Sequence, residues 1–85
     1  MIYAIEHPHL PLIKVGFTAN VAERMRNYRT HGLWVEPFLV CRGGRDVERR
    51  AHSLLDCSRH QGEWFKAKRA VVRLCVEAAA ALPPP

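Results

Sequence analysis

At 85 residues the chain has room for one domain with one modest core. Its 48% apolar and 25% charged residues exclude an intrinsically disordered chain, and no apolar run is long enough to span a bilayer. Lys and Arg number 13 against 8 Asp and Glu, for a net charge of +5 and a pI near 9.6. That balance favours a polyanionic partner, because each cation set on a phosphate releases condensed counterions. Cys41, Cys57 and Cys75 are odd in number, scattered and without a Cys-x-x-Cys pair. A reducing compartment is the simpler reading. Met1 runs directly into Ile2-Tyr3-Ala4-Ile5 without a basic region or long apolar run. The expectation is a cytoplasmic protein with no membrane partner.

Residues 2–5 predict a short apolar strand, broken by Glu6-His7-Pro8-His9-Leu10-Pro11, whose prolines remove ladder donors. Residues 12–17 predict a second strand, with Ile13, Val15 and Phe17 on one face and Leu12, Lys14 and Gly16 on the other. The short connection suggests an antiparallel hairpin. Asn20 and Glu23 form a capping-box pattern at the start of a helix with Val21, Met25 and Tyr28 as its apolar stripe, closed by Gly32. Residues 34–41 predict a third strand, which Pro37 delays or confines to an edge. After the Gly43-Gly44 turn, a second helix is expected with Asp46 as cap and Val47, Ala51, Leu54 and Leu55 buried. Gly62-Glu63-Trp64-Phe65 reads as a connector anchored structurally by Trp64 and Phe65. A third helix over 67–81 buries Ala70, Val71, Leu74, Cys75 and Ala78. The whole is an α+β fold, a small three-stranded antiparallel sheet flanked by helices in the order β-β-α-β-α-α, with residues 1–82 as one domain and 83–85 as a Pro-rich tail.

Several polar residues border these apolar stripes. Arg24 sits three residues after Val21 and four before Tyr28, where a guanidinium could give a phosphate two parallel hydrogen bonds. Position alone also suits a snorkelling surface arginine. Glu48 borders the buried face of the second helix among Arg42, Arg45, Arg49 and Arg50. It could anchor a divalent cation or form a helix-surface ion pair. His52 follows four residues later on the same face. It could orient that carboxylate, touch phosphate, carry a proton, or simply lie at the surface. Tyr3 could be a packed aromatic or could hold an attacking water in a cleft. Lys14 interrupts an apolar strand, and Gly16 on its face would leave room for a ligand. Cys41, Cys57, His52 and His60 could be assembled into a zinc site on paper, but their spacing matches no standard ligand pattern. Gly43-Gly44 lacks the Gly-Lys-Ser/Thr continuation of a phosphate loop.

Taken together these residues resemble the GIY-YIG nuclease superfamily, in its short phage and bacterial branch. Ile2-Tyr3 looks like the end of the first motif, with Met1 in place of its glycine. Lys14-Val15-Gly16 looks like the second motif in the branch where lysine replaces tyrosine. Arg24 lies eight residues beyond Gly16, Glu48 stands in Val47-Glu48-Arg49-Arg50-Ala51-His52, and Gly62-Glu63-Trp64-Phe65 resembles the downstream signature. The resemblance implies an endonuclease hydrolysing phosphodiester bonds without a covalent intermediate, on DNA in preference to RNA. It implies one Mg²⁺ or Mn²⁺ on Glu48, charge stabilisation by Arg24, and Tyr3 positioning or deprotonating water with its pKa lowered by Lys14. His52 would support these groups, with Gly16, Arg26 and Arg49 toward the substrate. No late asparagine follows Glu48. Two rival readings are a catalytically degenerate nucleic-acid-binding module and a protein-interaction domain reusing the fold. A homodimer or a separate partner could supply targeting.

Overall fold

The first two strands form the spine of the molecule. In the computed structural model, which describes residues 1–83, β1 (Ile2–Glu6) and β2 (Ile13–Phe17) pair antiparallel, with Tyr3 opposite Gly16 and Ala4 opposite Val15. Strict alternation then sorts the side chains. Ile2, Ala4, Ile13 and Val15 point to one face of the sheet, and Tyr3 and Ile5 to the other. Helix α1 (Val21–Thr30) lies on the Tyr3 face, opened by the Asn20 side chain, which accepts the backbone N–H of Glu23. Its buried Met25, with Val21 and Tyr28, packs on Tyr3 and Ile5.

Strand β3 (Pro37–Cys41) begins at the proline and pairs with β1 at the outer edge of the sheet. Proline is tolerated there because it has no N–H to leave unpaired in a ladder. Arg73 donates to the carbonyl of Phe38 at 3.0 Å, which further occupies this edge. Helix α2 (Arg45–Leu54) and helix α3 (Arg69–Ala81) cover the opposite face. Val47, Ala51 and Leu55 from the α2 region and Val72, Val76 and Ala79 from α3 complete the larger core.

The sheet has five strands, not the expected three, in the order β3-β1-β2-β5-β4. The additional pair, β4 (Arg59–Gln61) and β5 (Trp64–Phe65), follows a 3₁₀ turn at Asp56–Ser58 and extends the sheet beyond β2. The turn between them places Gly62 at φ +56, a conformation that costs glycine little. Strands of three and two residues are too short for a period of two to be read, which is why this stretch resembles a connector. Its aromatic anchor is real in packing terms: Phe65 is fully buried and Trp64 is half-buried.

Three further expectations shift. The cap of α2 is Gly44, and Asp46 lies inside the first turn. Leu54 is half-exposed, leaving Leu55 as the buried leucine. Helix α3 starts at Arg69 and turns a different face inward. Val72, Val76 and Ala79 are buried, whereas Ala70, Val71 and Ala78 are exposed and Leu74 is 68% exposed. The helix is apolar over most of its circumference, so periodicity alone cannot select the inward face. Arg69, paired with Glu6 at 2.7 Å, and Arg73 on Phe38 fix its rotation from outside the apolar stripe. Of the expected tail, Pro84 and Pro85 lie outside the described residues. No helix of the described residues is long and apolar enough to cross a membrane.

Candidate functional site

The hairpin register places the aromatic ring of Tyr3 directly across from Gly16. A Cβ built on Gly16 would sit 2.7 Å from both Cζ and the hydroxyl oxygen of Tyr3. The missing side chain therefore makes room for the tyrosine ring, and the expected ligand space at Gly16 is already filled. Tyr3 is 0% exposed, so its phenol must find partners inside the protein. It has two. Its oxygen lies 2.6 Å from the hydroxyl of Tyr28 and accepts a hydrogen bond from an Nη of Arg24 at 3.1 Å.

Arg24 and Tyr28 reach the same point because they are four residues apart on α1, one turn along one flank. Tyr28 is a site residue that the sequence reading left in the apolar stripe. The available signal was its spacing from Arg24, but a tyrosine at helical spacing is more often core. Arg24 is half-buried, and it also lines a small cleft of ≈ 160 Å³ with Thr18, Asn20, Glu23 and Asn27. Desolvation works against its charge, but hydrogen bonding to Tyr3 and Tyr28 outweighs that and raises its pKa. No carboxylate lies within ion-pair distance of it among the described residues.

Lys14 shares the face of Tyr3 and Gly16. Its ammonium lies 5.3 Å from the ring centre of Tyr28 and 5.8 Å from that of Trp64, and 3.7 Å from the carboxylate of Glu63. Aromatic walls keep the cation near the sheet surface. Lys14 does pull the pKa of Tyr3 down, as expected, but the net shift is upward. Burial and the hydrogen bond with Tyr28 push Tyr3 up to about 12, and the opposing pulls of Arg24 and Lys14 are smaller. Tyr3 is a neutral phenol at ordinary pH and a poor proton acceptor.

Glu48 and His52 come from the opposite layer. Glu48 is buried on α2, its side chain 9% exposed, with the guanidinium of Arg45 at 3.8 Å. Arg45 in turn lies over the ring of Phe17, 5.1 Å from its centre. His52 packs on Phe65 and its Nε2 lies 2.7 Å from the carbonyl of Val15. Since a carbonyl only accepts, Nε2 is the donor in this contact. β5 stops pairing with β2 at Lys14, and His52 takes the carbonyl of the next residue. The expected single hollow is thus divided. Tyr3, Lys14, Arg24 and Tyr28 gather on the α1 face, and Glu48 and His52 approach the same Lys14–Phe17 segment of β2 from the α2 side. Arg26 and Arg49 are exposed on the outer surfaces of their helices. Among the described residues no group of three or more His, Cys, Asp or Glu is placed to hold a metal, so the four-residue zinc assembly does not form there.

Comparison with known proteins revises the resemblance drawn from the motifs. No curated protein and no solved structure matches the chain. The family whose model matches is the T5orf172 domain, over residues 1–80, a family distinct from the GIY-YIG superfamily suggested by the motifs. That suggestion rested on Ile2-Tyr3, Lys14-Val15-Gly16, Arg24, Glu48 and Gly62-Glu63-Trp64-Phe65 in order, and for Tyr3 and Gly16 the packing of a tyrosine over a cross-strand glycine is a local reason for the pair. With the match covering nearly its whole length, the chain belongs to the T5orf172 domain family.

Proposed function

We propose that this domain is a metal-dependent nuclease that hydrolyses phosphodiester bonds in nucleic acid, with DNA as the expected substrate. One observation carries the reading. Arg24, a half-buried guanidinium, donates to the phenol of Tyr3, which is itself joined to that of Tyr28, and pairs with no carboxylate among the described residues, while Lys14 stands over the Tyr28 ring. An oriented cation whose charge is not neutralised by its own neighbours suits an anion from outside, and a phosphodiester offers oxygens for its remaining N–H groups. The net charge of +5 supports a polyanionic substrate.

Glu48 supplies one carboxylate. That donor set fits Mg²⁺ or Mn²⁺, which keep several waters and take one or two carboxylates together with substrate phosphate; it does not fit zinc. Glu48 would hold such a cation on the α2 side of the sheet, so a phosphodiester that meets both the cation and Arg24 has to lie across β2 and reach both faces. The chain's own groups do the rest. Arg24 donates to a non-bridging oxygen and stabilises the charge that grows there in the transition state. Tyr3, protonated and enclosed, orients Arg24 and Tyr28. With Arg24 donating into its oxygen, Tyr3 can donate its O–H hydrogen bond to the oxygen of Tyr28 while keeping its proton. The half-exposed Tyr28 hydroxyl is then free to orient the attacking water. Lys14 adds positive charge on the same face. His52 fixes α2, and with it Glu48, against β2.

The test is a cleavage assay on single- and double-stranded DNA and RNA with Mg²⁺ or Mn²⁺. Glu48→Ala and chelation by EDTA should each abolish turnover, and Arg24→Ala should lower the rate roughly 10²–10³-fold. Full activity in a folded Glu48→Ala protein would eliminate the metal site. Steeply salt-dependent binding by the wild-type protein, without turnover under any divalent cation, would reduce the domain to a binding module.

A further inference from the structure

A second feature lies on the other flank of α1. Met25, Arg29, Trp34, Val35, Glu36 and Pro37 contribute to an open groove of ≈ 770 Å³ between the helix and the segment that leads into β3. Trp34 is 73% exposed, an unusual position for the largest apolar side chain. One neighbour is fixed: the Arg29 guanidinium carbon lies 5.8 Å from its ring centre. The indole is therefore steadied by a cation while most of its surface remains open. Arg26 and Arg29 are exposed on α1, and neither has a carboxylate within ion-pair distance among the described residues.

An open aromatic face beside unneutralised arginines is the pairing that single-stranded nucleic-acid sites use. The base stacks on the ring and the cations follow the backbone. We infer that the Trp34–Arg29 groove is a subsite for an unpaired nucleobase of the nucleic acid on which the domain acts; this rests on the nuclease reading above. The base lies on Trp34, and its backbone passes Arg29 and Arg26. The groove and Arg24 flank the same helix. A helix with its side chains is about 10–12 Å across, roughly three nucleotides at ~3.4 Å per stacked nucleotide. A strand crossing α1 would therefore present to Arg24 a phosphate a few nucleotides from the stacked base. Substrates with a single-stranded stretch next to the scissile bond are the class selected. Glu36 adds an acceptor suited to an exocyclic amino group.

The test measures binding in EDTA, where the nuclease reading predicts no cleavage. The probes are a short single-stranded DNA oligonucleotide, an abasic oligonucleotide of equal length, and a blunt duplex. Trp34→Ala should weaken binding of the base-bearing single strand roughly tenfold or more, the worth of one aromatic stack. Trp34→Phe should retain most of it. Binding of the abasic strand should be the same for all three proteins. The base-bearing strand should quench indole emission more in the wild type than in Trp34→Phe, where only Trp64 still emits. Trp34 is too exposed for either substitution to threaten the fold. If the single strand binds with salt-dependent affinity but Trp34→Ala has no effect, the subsite is overturned and the nuclease reading stands. An equal loss on the duplex or on the abasic strand would also overturn it, because the contact would not be to an unpaired base. Failure of the wild type to bind any of the three probes would overturn both.

Discussion

The two faces of the sheet solve different problems. The α2/α3 face is closed with apolar side chains: Ile2, Ala4, Ile13 and Val15 meet Val47, Ala51, Leu55, Phe65, Val72 and Val76. The apolar cluster on the α1 face is smaller, Tyr3, Ile5 and Met25, and the Tyr3 hydroxyl there meets a second phenol and a guanidinium, with an ammonium nearby. One face can carry most of the burial free energy, which leaves the other able to hold polar groups that contribute less to folding. The alternation of β1 and β2 makes this possible, since neighbouring residues such as Ile2 and Tyr3 serve opposite layers.

Breaking the apolar face should cost most in stability. Phe65→Ala removes a fully buried ring and should lower unfolding free energy by about 3–5 kcal/mol in denaturant titration. Nucleic-acid affinity at low temperature, where the variant is still folded, should change little. A large loss of affinity without loss of stability would erase the distinction between the faces. Gly16→Ala attacks the polar face at its tightest point. The new Cβ would meet the Tyr3 ring at 2.7 Å, with an overpacking cost of about 1–3 kcal/mol. Because the ring carries the hydroxyl that holds Arg24 and Tyr28, cleavage should fall by more than the stability change explains. Comparing rates at a temperature where both proteins are fully folded checks this.

Alkaline pH sharpens the comparison further. The phenol of Tyr3 is raised from 10.0 to about 12 in the folded protein. A raised group contributes stability that is complete below the unfolded pKa and is lost as pH rises through the folded one. The wild type should therefore lose on the order of 2–3 kcal/mol between about pH 10 and pH 12 from this group. Tyr3→Phe should lack that part of the alkaline loss, while other groups still titrate. Parallel unfolding curves for the two proteins across that window would show that Tyr3 is not the buried acid. At neutral pH the variant leaves Arg24 and Tyr28 without their shared partner, at a cost of about 1 kcal/mol.

Local signals carried much of the fold. The Asn20 cap, the break at the prolines, the split of β1 and β2 into two faces and the start of β3 at Pro37 each follow from steric or hydrogen-bonding rules acting within a few residues. The candidate site was legible in pieces. Arg24 stood out because it borders an apolar stripe, and Lys14 because it interrupts a strand. Tyr28 did not, since nothing in a stripe of Val21, Met25 and Tyr28 shows that its hydroxyl meets that of Tyr3. The motif resemblance pointed to another family, because short motifs and single residues in a common order are compatible with more than one family.

The chain's basicity, its β-β-α opening and the residues that face each way along β1 and β2 are properties of the sequence itself, because charge adds up and strand alternation is strictly local. Tertiary structure decided the rest. It turned Leu74 outward and Val76 inward on a helix apolar nearly all round, and recruited two strands too short to announce themselves. It filled the space at Gly16 with Tyr3, and it set Glu48 on the helix that covers the sheet face opposite α1. Each of these depends on which surfaces meet, and packing between distant segments is not encoded in any one of them.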